Sequence, residues 1–302
     1  MAVVFKAKNK GKEILMMVNS CTINVDLNNL YTKVEINSSY EVPPLTEIDY
    51  ESKTQLVVLS SSFTGDSYDL VCVSKAQYQV LTKSLSSYIG NSTFKSVCSA
   101  AGIKTIAKVD SPQQFFLIPD TFNVLDFLRY LNEYVNVQGS TCTMYHLNIS
   151  GEIIAVDMTS TNNQVDVQAD VESDISDTSW FASHPMSFNI IKSTTSQLGA
   201  EDLNPSDKHS LNKASINATA FYDEYVDMPK NKAQKDFYTH YYMSRVIEAS
   251  SIISQPLKLG DYIKLNRKVS ARVRAIRYNL PVTTEHVHND ATFVTEATSY
   301  LS

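Results

Sequence analysis

Two histidines near the C-terminus have the spacing of a metal half-site. Residues 285–288 read EHVH, so a strand would place both imidazoles on one face. Protein zinc sites use at least three ligands, and only Asp290 is a nearby candidate for the third. A polar hairpin tip within residues 281–291 is the better interpretation, and we predict no metal site.

A run of carboxylates occupies residues 165–177 (VDVQADVESDISD). Calcium takes oxygen ligands at such spacing, but the EF-hand loop needs glycine at its sixth position, and this run has none. In a single strand the apolar side chains project from one face and the polar ones from the other. We therefore interpret the run as a solvated strand face comprising Asp166, Gln168, Asp170, Glu172 and Asp174.

Three arginines, Arg272, Arg274 and Arg277, lie in the stretch 256–281 (PLKLGDYIKLNRKVSARVRAIRYNLP), which invites a nucleic-acid interpretation. In a strand Arg272 and Arg274 share a face. Proteins that bind single strands stack bases on aromatic side chains, and no aromatic is interleaved with these arginines. We predict a half-buried barrel strand with solvated arginines.

Motifs of catalysis and nucleotide binding are missing from the sequence. It contains no G-x-S-x-G elbow and no glycine-rich phosphate loop, and only 8 of its residues are glycine. Four cysteines lie far apart without a C-x-x-C pair, which favours free buried thiols in a reducing compartment. We predict a protein that is not an enzyme and has no catalytic, cofactor-binding or metal-binding residues.

Composition allows a large folded core. The 302 residues are 43% hydrophobic, and the net charge of −6 gives no overall basic signal for nucleic acid. No apolar run approaches the ~20 residues of a membrane span, and the N-terminus lacks a signal-peptide core. We expect a soluble protein made in the cytoplasm.

The elements change character along the chain. Short strand patterns dominate residues 1–80, and the clearest helix, Phe122 to Val135, has an apolar face formed by Val124, Leu125, Leu128, Leu131 and Val135. A second helix is predicted over 94–101 with Asn91/Ser92 as its cap, and a third over Lys235 to Ser250. Predicted hairpins cover residues 143–158 and 262–280, and no repeat of fixed period is visible.

This order predicts a β-rich α+β fold with two β-barrel domains. We expect the first barrel over residues 1–86, a small α/β module over 87–160, and the second barrel over 161–302. An irregular loop and helix insertion is expected around residues 200–250 of the second barrel.

Taken together, several segments resemble the baseplate hub family of contractile-tailed bacteriophages, which is related to the hub half of type VI secretion spike proteins. Residues 115–135 (FFLIPDTFNVLDFLRYLNEYV) carry the most specific likeness, a strand, Ile-Pro and then a helix. Residues 160–230 depart from the family pattern. The other similar segments are 67–81, 87–103, 144–158, 237–265 and the closing strands.

The resemblance implies a structural role without catalysis. Hub proteins of this family form homotrimers in which two barrels per chain make a six-fold-like ring. The ring joins the tail tube on one side and the central spike on the other. For this chain it implies a virion baseplate protein, assembled in the host cytoplasm, whose partners are itself, the tube protein, the spike, other baseplate proteins and DNA only in transit, without membrane insertion.

A channel that passes DNA should not retain it, and phosphate contacts by Lys and Arg are what retain DNA. We therefore expect an acidic inner wall, with the Asp166–Asp174 face as a candidate. Arg272 and Arg274 are then expected at subunit contacts or on the outer surface.

The sequence leaves two other interpretations open. Another barrel-containing tail component, such as a distal tail protein, would have the same element order. An intracellular hydrolase or carbohydrate-binding protein is the alternative from a different class, because 32 acidic residues offer many carboxylate pairs.

We predict that dialysis against a chelator leaves folding and assembly intact, because no complete set of metal ligands is visible. Circular dichroism and solution mass before and after dialysis measure this. A stoichiometric metal found by elemental analysis, and lost in His286→Ala or His288→Ala, would contradict the prediction.

Overall fold

A computed structural model describes residues 5–9, 12–50, 54–85, 88–118, 122–161, 164–176, 235, 238–250, 257–280 and 289–295. It confirms the predicted β-rich fold with barrel domains. In the described part of the chain, no helix has the length and apolar character needed to cross a membrane. Residues 177–234 and the EHVH segment lie outside the described residues, so the predictions made for them stay untested.

Seven antiparallel strands form the first barrel. They are β1 (Phe5–Asn9), β2 (Lys12–Met16), β3 (Val18–Asp26), β4 (Lys33–Ser38), β5 (Glu47–Tyr50), β6 (Thr54–Phe63) and β7 (Tyr68–Ser74). The sheet order is β3-β4-β7-β6-β5-β1-β2, and the sheet curls around one apolar core that includes Phe5, Ile36, Ile48 and Leu70. Buried and more exposed side chains alternate along β4, and this alternation is the two-residue period of apolar residues that predicts a strand from the sequence.

The α/β module follows. Its elements are α1 (Lys75–Leu81), β8 (Tyr88–Ser92), α2 (Phe94–Ala100), β9 (Thr105–Ile106), β10 (Gln114–Ile118), α3 (Val124–Tyr134), β11 (Thr143–Leu147) and β12 (Ile153–Asp157). Every residue of β11 is buried, because the β11–β12 hairpin is covered on both sides. The module core lies on one side, and the helical residues 238–243 with Val294 lie on the other.

Six strands form the second barrel: β13 (Val165–Val167), β14 (Asp170–Ser176), β15 (Arg245–Ser250), β16 (Tyr262–Leu265), β17 (Val269–Leu280) and β18 (Asp290–Thr295). Their order is β14-β15-β18-β17, and β17 also pairs with β16. The predicted hairpin over 262–280 is therefore confirmed. The far half of β17 pairs with β3 of the first barrel, from Ala275↔Asp26 to Leu280↔Cys21, so one continuous sheet runs through both barrels.

The two barrels repeat one topology, although the sequence shows no repeat. Strands β3, β4, β5, β6 and β7 have the same chain order and the same sheet order as β14, β15, β16, β17 and β18. The β6–β7 ladder contains a bulge at Leu59, and the β17–β18 ladder contains one at Arg274. In both pairs the bulge lies two residues beyond the last residue paired with the preceding strand, Val57 in one and Arg272 in the other.

Two predicted elements are wrong in part. The helix predicted over Lys235 to Ser250 is helical at residues 235 and 238–243, but Arg245–Ser250 is β15. Pairing with both β14 and β18 overrides the local helical tendency there. The single strand predicted over 165–175 breaks after Val167, because the Asn266 side chain hydrogen-bonds both backbone groups of Ala169 and separates β13 from β14.

Helix caps differ slightly from those predicted. Thr93, and not Asn91 or Ser92, caps α2, and Gly102 follows the last residue of the helix with φ at +63°, a conformation that glycine favours. Asn123 caps α3 in a capping box with Asp126. The short α1 was not predicted, although Ser74 and Gln77 form the S-x-x-Q capping box that signals such a start.

The apolar face of α3 is largely as predicted. Leu128, Leu131 and Val135 are fully buried in the module core beside Tyr145 and the hairpin. Leu125 is only half-buried, and Phe127 takes its place in the core. The side chain of Asn132 also fixes the helix to β11 by bonding both backbone groups of Tyr145 at 2.8 Å.

Gly260 shows how closely the second barrel approaches the module. Its φ is +78°, and a Cβ atom there would lie 2.1 Å from Cγ1 of Val156 on β12. Only glycine fits a left-handed backbone with a neighbour this near. The turn at Gly260 and Asp261 is thus also a contact point between the second barrel and the module.

We predict that Leu128→Ala lowers the free energy of unfolding by about 2–5 kcal/mol, since it removes a fully buried side chain from the module core. Leu125→Ala is the matched control on the same helix and should cost less, because Leu125 is half-buried. Denaturant unfolding of both variants measures this. Equal losses would contradict the assigned face.

We predict that Gly260→Ala destabilises the chain more than Gly139→Ala. Both glycines have positive φ, so each substitution should cost about 1–2 kcal/mol in backbone strain. Only Gly260 has a neighbour in the way, which should add about 1–3 kcal/mol, whereas nothing lies within 4 Å of a Cβ at Gly139. Thermal and denaturant unfolding of the two variants compare them, and equal losses would mean that the Val156 contact relaxes freely.

Candidate functional site

The chemically reactive side chains that the structure describes are in inert surroundings. Burial raises the pKa of Cys21, Cys72 and Cys98 to about 12 and that of Cys142 to about 11, so these thiols are protonated and poor nucleophiles. Within the described ranges, no three His, Cys, Asp or Glu side chains are grouped so that they could hold a metal ion.

His146 is fully buried and has a structural role. Its Nδ1 lies 2.8 Å from the Asn29 carbonyl, which can only accept, so Nδ1 carries the proton and Nε2 accepts from the Thr32 hydroxyl at 2.8 Å. Burial lowers the pKa of this imidazole, which keeps it neutral. The three residues tie the β3–β4 connection to β11.

The predicted solvated arginines are only partly solvated. Arg272 is 3% exposed, its guanidinium lies 5.0 Å from the centre of the Tyr262 ring, and it donates to the Ser160 carbonyl. Arg272 is therefore buried within the chain, on the face of β17 opposite the core of the second barrel, and the predicted outer surface or subunit contact is wrong for it. Arg274 is partly buried 3.6 Å from Asp26, and only Arg277 is exposed as predicted.

The most extensive candidate surface is one polar face of the continuous sheet. Cross-strand partners share a face, so the register of eight strands, β14-β15-β18-β17-β3-β4-β7-β6, defines this face. Its polar side chains are Ser173, Glu248, Thr292, Asp290, Arg277, Asn279, Asp26, Asn24, Thr22, Lys33, Glu35, Asn37, Asp69, Ser60 and Ser62, and the apolar Ala275, Val71 and Ile175 lie on the same face. The opposite face carries the cores of both barrels.

Hydrogen bonds connect neighbouring strands across this polar face. Ser173 donates to Glu248 at 2.9 Å, and Asn37 donates to Asp69 at 2.7 Å. At the junction between barrels, the Thr22 hydroxyl donates to Oδ1 of Asn279 at 3.2 Å. These contacts hold the polar side chains in a defined array on the sheet.

The centre of the polar face is a shallow acidic groove of about 350 Å³. Two cations, Lys33 and Arg277, line it together with five carboxylates, those of Asp26, Glu35, Glu172, Glu248 and Asp290. The surface is thus net negative and repels a polyanion.

The acidic run predicted as one wall is divided between two places. Asp166 lies on β13, which pairs with β16 away from the groove, whereas Glu172 is the bulged residue of β14 and lines the groove. Asp174 forms a two-point ion pair with Arg245, at 2.6 and 2.8 Å, and this pairing lowers its pKa. Most carboxylates of the groove come from strands whose acidic residues are scattered in the sequence, so only the register reveals them.

Comparison with known proteins identifies the fold. No family model and no curated protein sequence matches the chain. Among solved structures, the 43 kDa tail protein of prophage MuSo2 from Shewanella oneidensis is similar with a TM-score of 0.54 at 12% identity, over 98% of each chain.

Two further structures agree. Prophage tail protein gp18 from Listeria monocytogenes has a TM-score of 0.52 at 11% identity, over 97% of this chain and 94% of its own. The tail protein from Neisseria meningitidis MC58 has a TM-score of 0.51 at 8% identity, over 98% and 97%. At these identities the likeness establishes the fold: the chain has the fold of phage tail proteins over nearly its whole length.

Proposed function

We propose that this chain is a structural protein of a phage tail and acts there as the baseplate hub. In this role three copies form a ring that joins the six-fold tail tube to a three-fold central spike. The tail-protein fold along nearly the whole chain supports a place in the tail. The partners in this proposal are the chain itself, the tube protein, the spike and other baseplate proteins.

The repeated barrel topology is the observation that carries the hub proposal. Each chain contains two copies of the same five-strand arrangement, with a bulge at the same position in the ladder between the fourth and fifth strands. Three chains therefore present six similar units, which is the number needed to match a six-fold tube. The intrachain pairing of β17 with β3 holds the two units of each chain side by side.

The polar face is suited to line the central channel. Three copies of the eight-stranded face give 24 strands. At about 4.8 Å per strand the circumference is at least about 115 Å and the diameter between backbones at least about 37 Å, and strand tilt enlarges both. A barrel of 24 strands is wider than the 16–18-stranded barrels of porins, which already enclose a water-filled channel. Carboxylates and neutral polar groups on this wall let DNA pass without holding its phosphates.

We expect the purified chain to form three-fold annular particles. Mass measurement in solution should give three times the chain mass of 33.8 kDa, and negative-stain images should show rings. A stable monomer would contradict the hub proposal. Six-fold rings of six chains would instead favour a distal tail protein.

We expect the wild-type protein to bind DNA weakly and Glu35→Lys/Glu248→Lys to bind it in a salt-sensitive way. The double variant places new cations on the acidic face, and each phosphate contact should add about 0.9 to the slope of log affinity against log salt. Glu13→Lys/Glu41→Lys changes the charge equally at exposed sites outside the groove and is the control. Titration at several salt concentrations compares them, and equal DNA binding by both double variants would contradict the proposed wall.

A further inference from the structure

Two open edges of the sheet that joins the barrels border the eight-stranded polar face. One is the outer side of β14, and the other is the side of β6 beyond Val58, where β5 no longer pairs with it. Among the residues that the structure describes, no strand covers either edge. The two edges lie at the two opposite ends of the eight-stranded polar face.

The edge of β6 lacks the usual protection against pairing. Residues 59–63 read LSSSF, with no charge and no proline, and Phe63 is 62% exposed. Edge strands that stay unpaired generally carry lysine, proline or another blocking feature. On β14, Val171 and Ile175 are 47% and 60% exposed although both are apolar. β14 also carries Asp170, Glu172, Asp174 and the bulge at Glu172, which protect an edge, so on this side it is the exposed apolar Val171 and Ile175 that indicate cover, as LSSSF does on β6.

The internal repeat identifies what covers them. Within one chain, β17 of the second unit pairs with β3 of the first. By topology β6 is the counterpart of β17, and β14 is the counterpart of β3. A repeat of the β17–β3 junction would therefore pair β6 of one chain with β14 of another chain. These two strands lie at the opposite ends of the eight-stranded polar face.

We propose that β6 of one copy pairs antiparallel with β14 of the next copy, so that the intrachain β17–β3 junction is repeated between chains. The contact is head-to-tail, and a head-to-tail contact that closes gives a ring. The inference rests on the ring of the proposed function and names the strands that close it.

The ladders also give the register. Across the second unit, Ala275 aligns with Thr292, Glu248 and Ser173. Across the first, Ser60 aligns with Val71, Glu35 and Thr22. Ala275 and Ser60 are counterparts, because each directly follows the bulge of its strand. Ser173 is therefore the counterpart of Thr22, and Ile175, two residues later, is the counterpart of Asn24.

The intrachain pair Arg277↔Asn24 then has a counterpart between chains. Arg277 lies two residues beyond Ala275, as Ser62 lies two beyond Ser60. The register thus places Ser62 of one copy directly opposite Ile175 of the next, with both side chains on the polar face.

Disulfide trapping tests this register. Directly opposite residues on an antiparallel pair have Cβ atoms as near as about 4.5 Å, the upper end of the separation that a disulfide spans, whereas diagonal neighbours are about 7–8 Å apart and out of reach. We expect Ser62→Cys/Ile175→Cys, after mild oxidation, to run mostly as a covalent trimer on non-reducing gels. The native thiols are buried with raised pKa values, so they should not contribute.

Two control variants separate register from proximity. Ser61→Cys/Ile175→Cys places the thiols on opposite faces, and Ser60→Cys/Ile175→Cys places them diagonally, so both should cross-link far less. Equal cross-linking of all three variants, or a disulfide within one chain, would overturn the proposed pairing.

The mass of each variant before oxidation distinguishes this inference from the hub proposal. A trimer in which Ser62→Cys/Ile175→Cys forms no disulfide overturns the strand pairing alone. A monomer overturns both. Register-specific cross-linking in a ring of another size supports the pairing and contradicts the three-fold hub.

Discussion

The pairing of β17 with β3 is the interaction on which the rest of the architecture depends. It joins residues more than 240 positions apart in the sequence through the register Ala275↔Asp26 to Leu280↔Cys21. β17 can serve both barrels because it is twelve residues long and bulged at Arg274. Its first part pairs with β16, and its last part pairs with β3. Without this pairing the two polar sheets would be separate surfaces, and the acidic groove between them would not exist.

The module keeps the barrels in this arrangement through buried polar contacts. The Gln77 side chain donates to the carbonyls of Thr32 and Leu147, at 3.0 and 3.2 Å, and His146 bonds Thr32 in the same place. A buried amide or imidazole that lost its partner would cost roughly 1–3 kcal/mol. Because each group fits only one arrangement, these contacts fix the orientation of the module on the first barrel more specifically than apolar packing does.

Lys235 has a comparable role on the other side of the module. Its side chain is fully buried, and its ammonium donates to the carbonyls of Leu131 and Val135, at 2.6 and 2.5 Å, at the C-terminal end of α3. The same ammonium lies 5.0 Å from the centre of the Tyr145 ring. A cation at this end of a helix donates to its last carbonyls and complements the helix dipole. Lys235 precedes the helical residues 238–243, which lead into β15. Its contacts therefore hold the chain against the module shortly before the chain re-enters the second barrel.

The sequence by itself determined the local elements and the β-rich class. Alternation along β4, the apolar face of α3, and the hairpins β11–β12 and β16–β17 all follow from side-chain period and turn residues, which are local properties. It also indicated tail-like barrels, and the fold agrees. It could not show that RVIEAS is a strand, that Arg272 is buried or that Asp166 and Asp174 are separated, since each depends on partners distant in the chain. Only the tertiary structure decided the repeat and the polar face, because sheet register brings scattered residues such as Asp26, Glu35, Glu248 and Asp290 together, and register is set by long-range pairing.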